Sequence, residues 1–146
     1  ASVILKQAAD IDYAPIFFGV DGMDGILTMD GFDTSLAEGV MLLTPFSADD
    51  PNAADFVAAY QTNYGEIPNQ FAADGYDAVY IIYNALIAAG CTEDMSAEEI
   101  CDALTAQMST ISYDGLTGQG MTWDDNGAVA KAPMAVVIKD GVYVTP

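Results

Sequence analysis

No histidine and no arginine occur anywhere in this sequence, and its basic side chains are three lysines, Lys6, Lys131 and Lys139. The missing imidazole removes the usual base of a Ser or Cys triad, the commonest zinc ligand, and the side chain whose unperturbed pKa lies near neutrality. The missing guanidinium and the absence of any basic patch argue against neutralising a phosphate backbone, so nucleic acid and anionic lipid are not expected partners. Cysteine is scarce too. Cys91 and Cys101 stand ten positions apart with no C-x-x-C spacing; a turn between helices could join them, or they remain free thiols. Also absent are a cationic leader with a cleavage site and a bilayer-length apolar run free of charges. The chain opens on ASVILKQAADIDY, a helix already in progress, and is expected to be a piece of something longer.

Acid is abundant. Against the three lysines stand 22 Asp and Glu, giving a formal net charge of −19, which favours solubility and repels acidic ligands within about a Debye length. Hydrophobic residues make up 52% of the 146 positions, enough for a folded domain of ordinary size. The longest apolar stretch, Phe71–Gly90, reads as a helix with one polar stripe through Asp74, Asp77 and Asn84. Phe71, Val79, Ile82 and Leu86 lie round the rest of its circumference, so it is expected to be buried at the centre of the fold. Gly90 supplies its stop, and Asp74 and Asp77 meet the positive end of its dipole.

Taken in order, residues 2–9 predict a helix with Val3 and Ile4 on the side of Gln7 and Ala8. Ile16, Phe17 and Phe18 predict a strand buried on both faces, broken by Gly19. Gly39–Phe46 is a second bounded apolar strand. Asp50 and Pro51 start a helix carrying Phe56, Tyr60 and Tyr64 on one face and ending at Gly65. Ser96 with Glu99 forms a capping box before the stripe Ile100, Leu104, Met108. The last third alternates strand runs (MTW, PMAVVI, VYV) with the turn signals DDNG and KDG. The class is α/β, and in open α/β sheets ligands gather at loops leaving the carboxyl ends of strands.

The turn Gly19-Val20-Asp21-Gly22 is such a loop. Small residues around one carboxylate admit a ligand close to the backbone, and Asp21 could accept from an ammonium group; equally, Asp21 could cap the next helix. Phe71 could close over an apolar ligand group or serve as a core aromatic. The acidic runs DGMDG and DDNG lack the alternating oxygens and closing glutamate of a calcium loop, so no metal is expected. No pair among the acids is marked for glycoside hydrolysis, and neither catalytic residues nor a cofactor are expected.

The motifs GVDG, EGVMLLTPF, FVAAYQTNYGEIPNQFAADGYDAVYIIYNALIAAG, YDGLTGQGMTWDDNGAV and the VVIKDGVY ending occur in the order found in the C-terminal part of the type I periplasmic binding proteins. Within that family the sequence is most similar to the branched-chain amino-acid (Leu/Ile/Val) receptors of ABC transporters. The resemblance implies the C-terminal portion of a two-lobed α/β fold, mainly parallel sheets flanked by helices, that closes on its ligand without chemistry. Crossings between lobes would fall near Pro45–Ser47 and between Thr122 and Pro133. Residues 1–45 and 133–146 would then belong to one lobe and 46–132 mainly to the other. By the same resemblance Asp21, with Gly22 beside it, would bind a ligand ammonium, and Phe71 the ligand side chain. The implied role is extracytoplasmic, periplasmic or lipid-anchored at the cell surface: binding a neutral or branched-chain amino acid and delivering it to a membrane permease. The alternative is a ligand-sensing domain of the same fold. Uncovered strand edges and helix faces would favour an associated or domain-swapped dimer.

Overall fold

In the computed structural model, which describes all residues from Ala1 to Pro146, the alternation in MLLT decides how the first sheet is built. Strand β2 (Met41–Thr44) buries Leu42 and Thr44 on one face and half-buries Met41 and Leu43 on the other. It pairs in parallel with the two-residue strand β1 (Phe18–Gly19), and its other edge runs antiparallel to β6 (Met134–Lys139), with Leu42 opposite Val136. β6 continues into β7 (Val142–Val144) through a two-residue turn. Asp140 and Gly141 there have φ of 52° and 74°, the left-handed pair a tight Asp-Gly hairpin requires. Leu5, Ile26, Ala37, Val40, Leu42, Val136 and Ile138 form the core of this unit, which comprises Ala1–Gln70 with Pro133–Pro146.

Three expectations change in this unit. The sheets are less parallel than expected: β1 with β2 is the parallel pair, and the remaining pairings, including that of β2 with the distant β6, are antiparallel. β1 is an edge strand, not a strand buried on both faces, so Ile16 is 84% and Phe18 57% exposed. In helix α1 (Ser2–Asp10) Leu5 and Ala8 face the core while Val3 and Ile4 face outward. Residues 46–70 pack with the first unit. Hydrogen bonds hold them there, from the Thr44 hydroxyl to Gln70 (2.9 Å) and from the Thr145 N–H to Asp49 (3.4 Å). Within that stretch Asp50 caps the Pro51 turn at Asn52, and α2 (Ala54–Tyr64) ends on Gly65 at φ 77°, burying none of its residues.

The second unit, Phe71–Ala132, carries α3 (Gln70–Ala88) from its second residue onward, α4 (Ala97–Met108), and the antiparallel strands β3 (Ser112–Tyr113), β4 (Met121–Trp123) and β5 (Val129–Ala130). Ser96 and Glu99 complete both halves of the capping box. The DDNG turn is a longer loop than an Asn-Gly hairpin, held by Asp124 accepting from the N–H groups of Asn126 and Ala128, both at 2.9 Å. Cys91 and Cys101 are free thiols.

Helix α3 corrects the expectation of a buried rod. Val79, Ile82, Tyr83 and Ile87 are each more than half exposed, whereas Asp77 on the polar stripe is 2% exposed. Burial of that carboxylate is compensated: it accepts from the N–H of Leu116 (2.9 Å), the N–H of Thr117 (2.8 Å) and the Thr117 hydroxyl (2.8 Å). The loop can come that close because residue 115 is glycine. A Cβ there would sit 2.5 Å from an Asp77 oxygen. Lys131 completes the cluster, donating to the Thr117 hydroxyl at 3.2 Å with Asp74 at 3.7 Å.

Candidate functional site

The chain leaves β1 at Gly19, runs through extended Val20 and winds into a single 3-10 turn, Asp21–Met23. Two short-range bonds close it, Met23 N–H to Val20 O and Asp24 N–H to Asp21 O, each 2.9 Å. At Gly19 the space is filled from within the chain: a Cβ there would meet the Met23 sulfur at 2.0 Å and Leu42 at 3.0 Å, and Met23 packs against the core of this unit. Gly22 differs, since a Cβ there would meet nothing within 4 Å. The open space that a close approach to the backbone needs therefore lies at Gly22 and not at Gly19.

Asp21 is exposed, and its carboxylate accepts one hydrogen bond, from the Gly22 N–H at 2.9 Å. It does not cap the turn, whose N-cap is Val20 without a side-chain bond. Of the two readings of Asp21, capping is thus removed, and one oxygen of its exposed carboxylate has no hydrogen-bond partner within the chain.

Phe71 is the second residue of α3 and is 53% exposed, so it is not the core aromatic that helical spacing allowed. Asp21 and Gly22 belong to the first unit and Phe71 opens the second. Just before it, Gln70 is 1% exposed and its backbone N–H donates to the Asp24 carboxylate at 2.7 Å. The other Asp24 oxygen accepts from Gly25 N–H at 2.8 Å, in a glycine at φ 83°. Close to Asp24 the Tyr143 hydroxyl is buried and makes no well-formed hydrogen bond. Burial first, and the Asp24 charge second, push its pKa well above that of an ordinary phenol.

Sequence reasoning passed over Asp24 and Gln70, and took Asp77 only as a partner of the helix dipole, not as the acceptor for Leu116 and Thr117. The signal for Asp24 was present as the second acid of DGMDG, but a partner 46 residues away leaves no local trace. No group of His, Cys, Asp and Glu side chains has the arrangement to hold a metal ion. A hollow of about 500 Å³ is open and lies between α1 and the segment Met29–Leu36, lined by Val3, Lys6, Asp10 and Phe32 among others. It contains none of the candidate residues, and no helix is long and apolar enough to cross a membrane.

A sequence profile described as periplasmic binding protein matches residues 1–141. The chain is similar to the solved leucine binding protein LivK from Thermotoga maritima, at 25% identity and a TM-score of 0.77, over 99% of this chain and 40% of that one. It is similar also to the branched-chain amino acid transporter substrate binding protein LivJ from Streptococcus pneumoniae, solved with isoleucine, at 26% identity and a TM-score of 0.77, over 100% of this chain and 42% of that one. A solute binding protein from R. palustris, solved with benzoate, shares the fold at 21% identity and a TM-score of 0.78, over 97% of this chain and 38% of that one. The chain thus spans about 40% of the length of the first of these structures. No curated protein is significantly similar to it in sequence.

Proposed function

The chain belongs to the periplasmic binding protein family, and from that premise we propose that it supplies part of the extracytoplasmic solute-binding component of an ABC transporter. Its ligand is a neutral or branched-chain amino acid, bound between two lobes and handed to a membrane permease. Binding is its whole task, without a catalytic step.

The observation that carries the reading is the Asp21 turn: an exposed carboxylate with a free acceptor oxygen, beside a glycine whose outer face is open. A lone carboxylate suits the α-ammonium of an amino acid, since a hydrogen bond between charged groups is roughly twice as strong as a neutral one. It is a poor partner for an aromatic acid, whose own carboxylate it would repel. Phe71, solvent-exposed at the start of α3, is the apolar surface on which a branched side chain would rest. The lobe division near residues 45 and 133 is part of the same proposal, and α2, which buries none of its residues, is the element that a further layer would cover.

Calorimetric titration of the complete receptor polypeptide with leucine, isoleucine, valine, acidic and basic amino acids, and benzoate tests this. Binding confined to neutral amino acids is expected. Preference for benzoate, or for no amino acid, would overturn the assignment.

A further inference from the structure

We propose that Asp24 is a positioning residue for ligand binding: its carboxylate fastens the turn carrying Asp21 to the first residue of α3, and ligand affinity depends on that fastening although Asp24 does not touch the ligand. The inference rests on the reading of Asp21 as the ammonium contact.

The Asp21 turn is short and exposed, and the bonds that close it, Val20 to Met23 and Asp21 to Asp24, are local. The packing of Met23 against the core aside, a three-residue 3-10 turn closed in this way has no long-range hydrogen bond of its own. Asp24 provides one. Its Oδ2 accepts from the Gln70 N–H at 2.7 Å across 46 residues of sequence, while Oδ1 accepts from the adjacent Gly25 at 2.8 Å. Both distances are at the short end for an N–H donor, as expected where the acceptor is charged.

The far end of the bridge is itself fixed. Gln70 is 1% exposed, and its side-chain oxygen is hydrogen-bonded at 2.9 Å to the Thr44 hydroxyl at the end of β2. A rigid strand therefore holds Gln70, Gln70 holds Asp24, and Asp24 closes the turn that presents Asp21. Binding groups keep their affinity only when their supports hold them to within a fraction of an ångström. Asparagine at 24 offers a single acceptor oxygen where the carboxylate uses two, so it can serve one of the two N–H groups and not both.

The experiment compares Asp24→Ala, Asp24→Asn and Asp21→Ala in the complete polypeptide, with L-leucine and L-isoleucine as the titrated ligands and thermal unfolding measured alongside. Asp24→Ala is expected to weaken binding about tenfold or more, the scale of one lost hydrogen bond to a charged group, with Asp24→Asn intermediate. An ultraviolet titration supplies a second readout: both Asp24 variants should bring the late tyrosine ionisation assigned to Tyr143 closer to the ordinary range. A lowered melting temperature with affinity within twofold of the parent would mean that Asp24 serves only the helix start, and would overturn the proposal. Should Asp24→Ala fail to fold, Asp24→Asn decides on the same twofold criterion. If Asp21→Ala binds as the parent does, the assignment of Asp21 fails and this inference falls with it; if Asp21→Ala loses affinity while the Asp24 variants keep it, only this inference fails.

Discussion

Asp77 holds Thr117 twice through one oxygen: the backbone N–H and the side-chain hydroxyl of Thr117 both donate to Asp77 Oδ2 at 2.8 Å. With Leu116 bound to the other oxygen, a buried carboxylate organises the loop between β3 and β4. Removing it strands two N–H groups and a hydroxyl. Asp77→Ala should destabilise the protein by about 3 kcal/mol, within the range for breaking a buried charged network, and Asp77→Asn by less because one acceptor remains. Urea unfolding of the two variants would check this. Equal and small losses would mean that the loop re-forms its bonds with water.

Leu42 is fully buried at the centre of the first unit's sheet, opposite Val136. Truncation to alanine leaves a void in the core that it shares with Leu5, Ile26 and Val136, and should cost about 2–5 kcal/mol, the usual range for a buried leucine. Denaturant midpoints with an unchanged slope would show a plain loss of packing. Thr44, two residues on in the same strand, should behave differently: Thr44→Val keeps the volume and loses the hydroxyl bonded to Gln70.

Much of this fold was legible because it depends on local chemistry. The Ser96–Glu99 box, the glycine stops at residues 65 and 90 and the Asp140-Gly141 hairpin are each written within a few residues, and each forms. The α3 register was legible also, but not which face is covered. Periodicity places Val79 and Ile82 on an apolar side without saying whether anything packs there, and in this chain both are exposed. Asp77 was misread as a dipole partner because its donors lie about forty residues downstream. At the candidate site, Asp21 and Gly22 stood out through the spacing of small residues, while Asp24 required knowledge of where Gln70 falls.

Asp21→Ala should cost about 1.5–3 kcal/mol of ligand affinity, the value of a hydrogen bond to a charged group, with little effect on stability. Its one hydrogen bond is to the neighbouring Gly22 N–H on an exposed turn, which water replaces. Titration calorimetry with thermal unfolding separates the two quantities. Unchanged affinity would remove Asp21 from the site.

Alkaline pH should expose Tyr143. Its folded-state pKa lies above the ordinary phenol value of 10.0, so the unfolded chain gives up its proton first as the pH rises. Stability is then fully present below about pH 10 and declines above it. Tyr143→Phe removes a buried hydroxyl that makes no well-formed hydrogen bond, and should change neutral-pH stability little while removing this step. Tyr76 and Tyr113 are also raised, by the Tyr80 hydrogen bond and by burial respectively, so the variant is needed to assign the latest ionisation. An unaltered absorbance titration in Tyr143→Phe would contradict the assignment.

The exposed side chains of α3 set the expected behaviour of the 146-residue chain in solution. Val79 is 66%, Ile82 51% and Ile87 61% exposed, and the rings of Tyr76 and Tyr80 lie 4.8 Å apart, tilted at 43°, on the same helix. Apolar surface of this kind gathers a partner, and the short edge strand β1 adds unpaired backbone groups. A charge of −19 opposes association, but only over about 8 Å at physiological ionic strength, and salt should therefore promote it. We expect light scattering to show a concentration-dependent dimer that strengthens from low to moderate salt. Ile82→Lys, placed on the exposed face, should return the chain to monomer with little change in melting temperature, because that side chain is about half exposed. A monodisperse monomer at high protein concentration and moderate salt would show that these faces are tolerated in water as they stand.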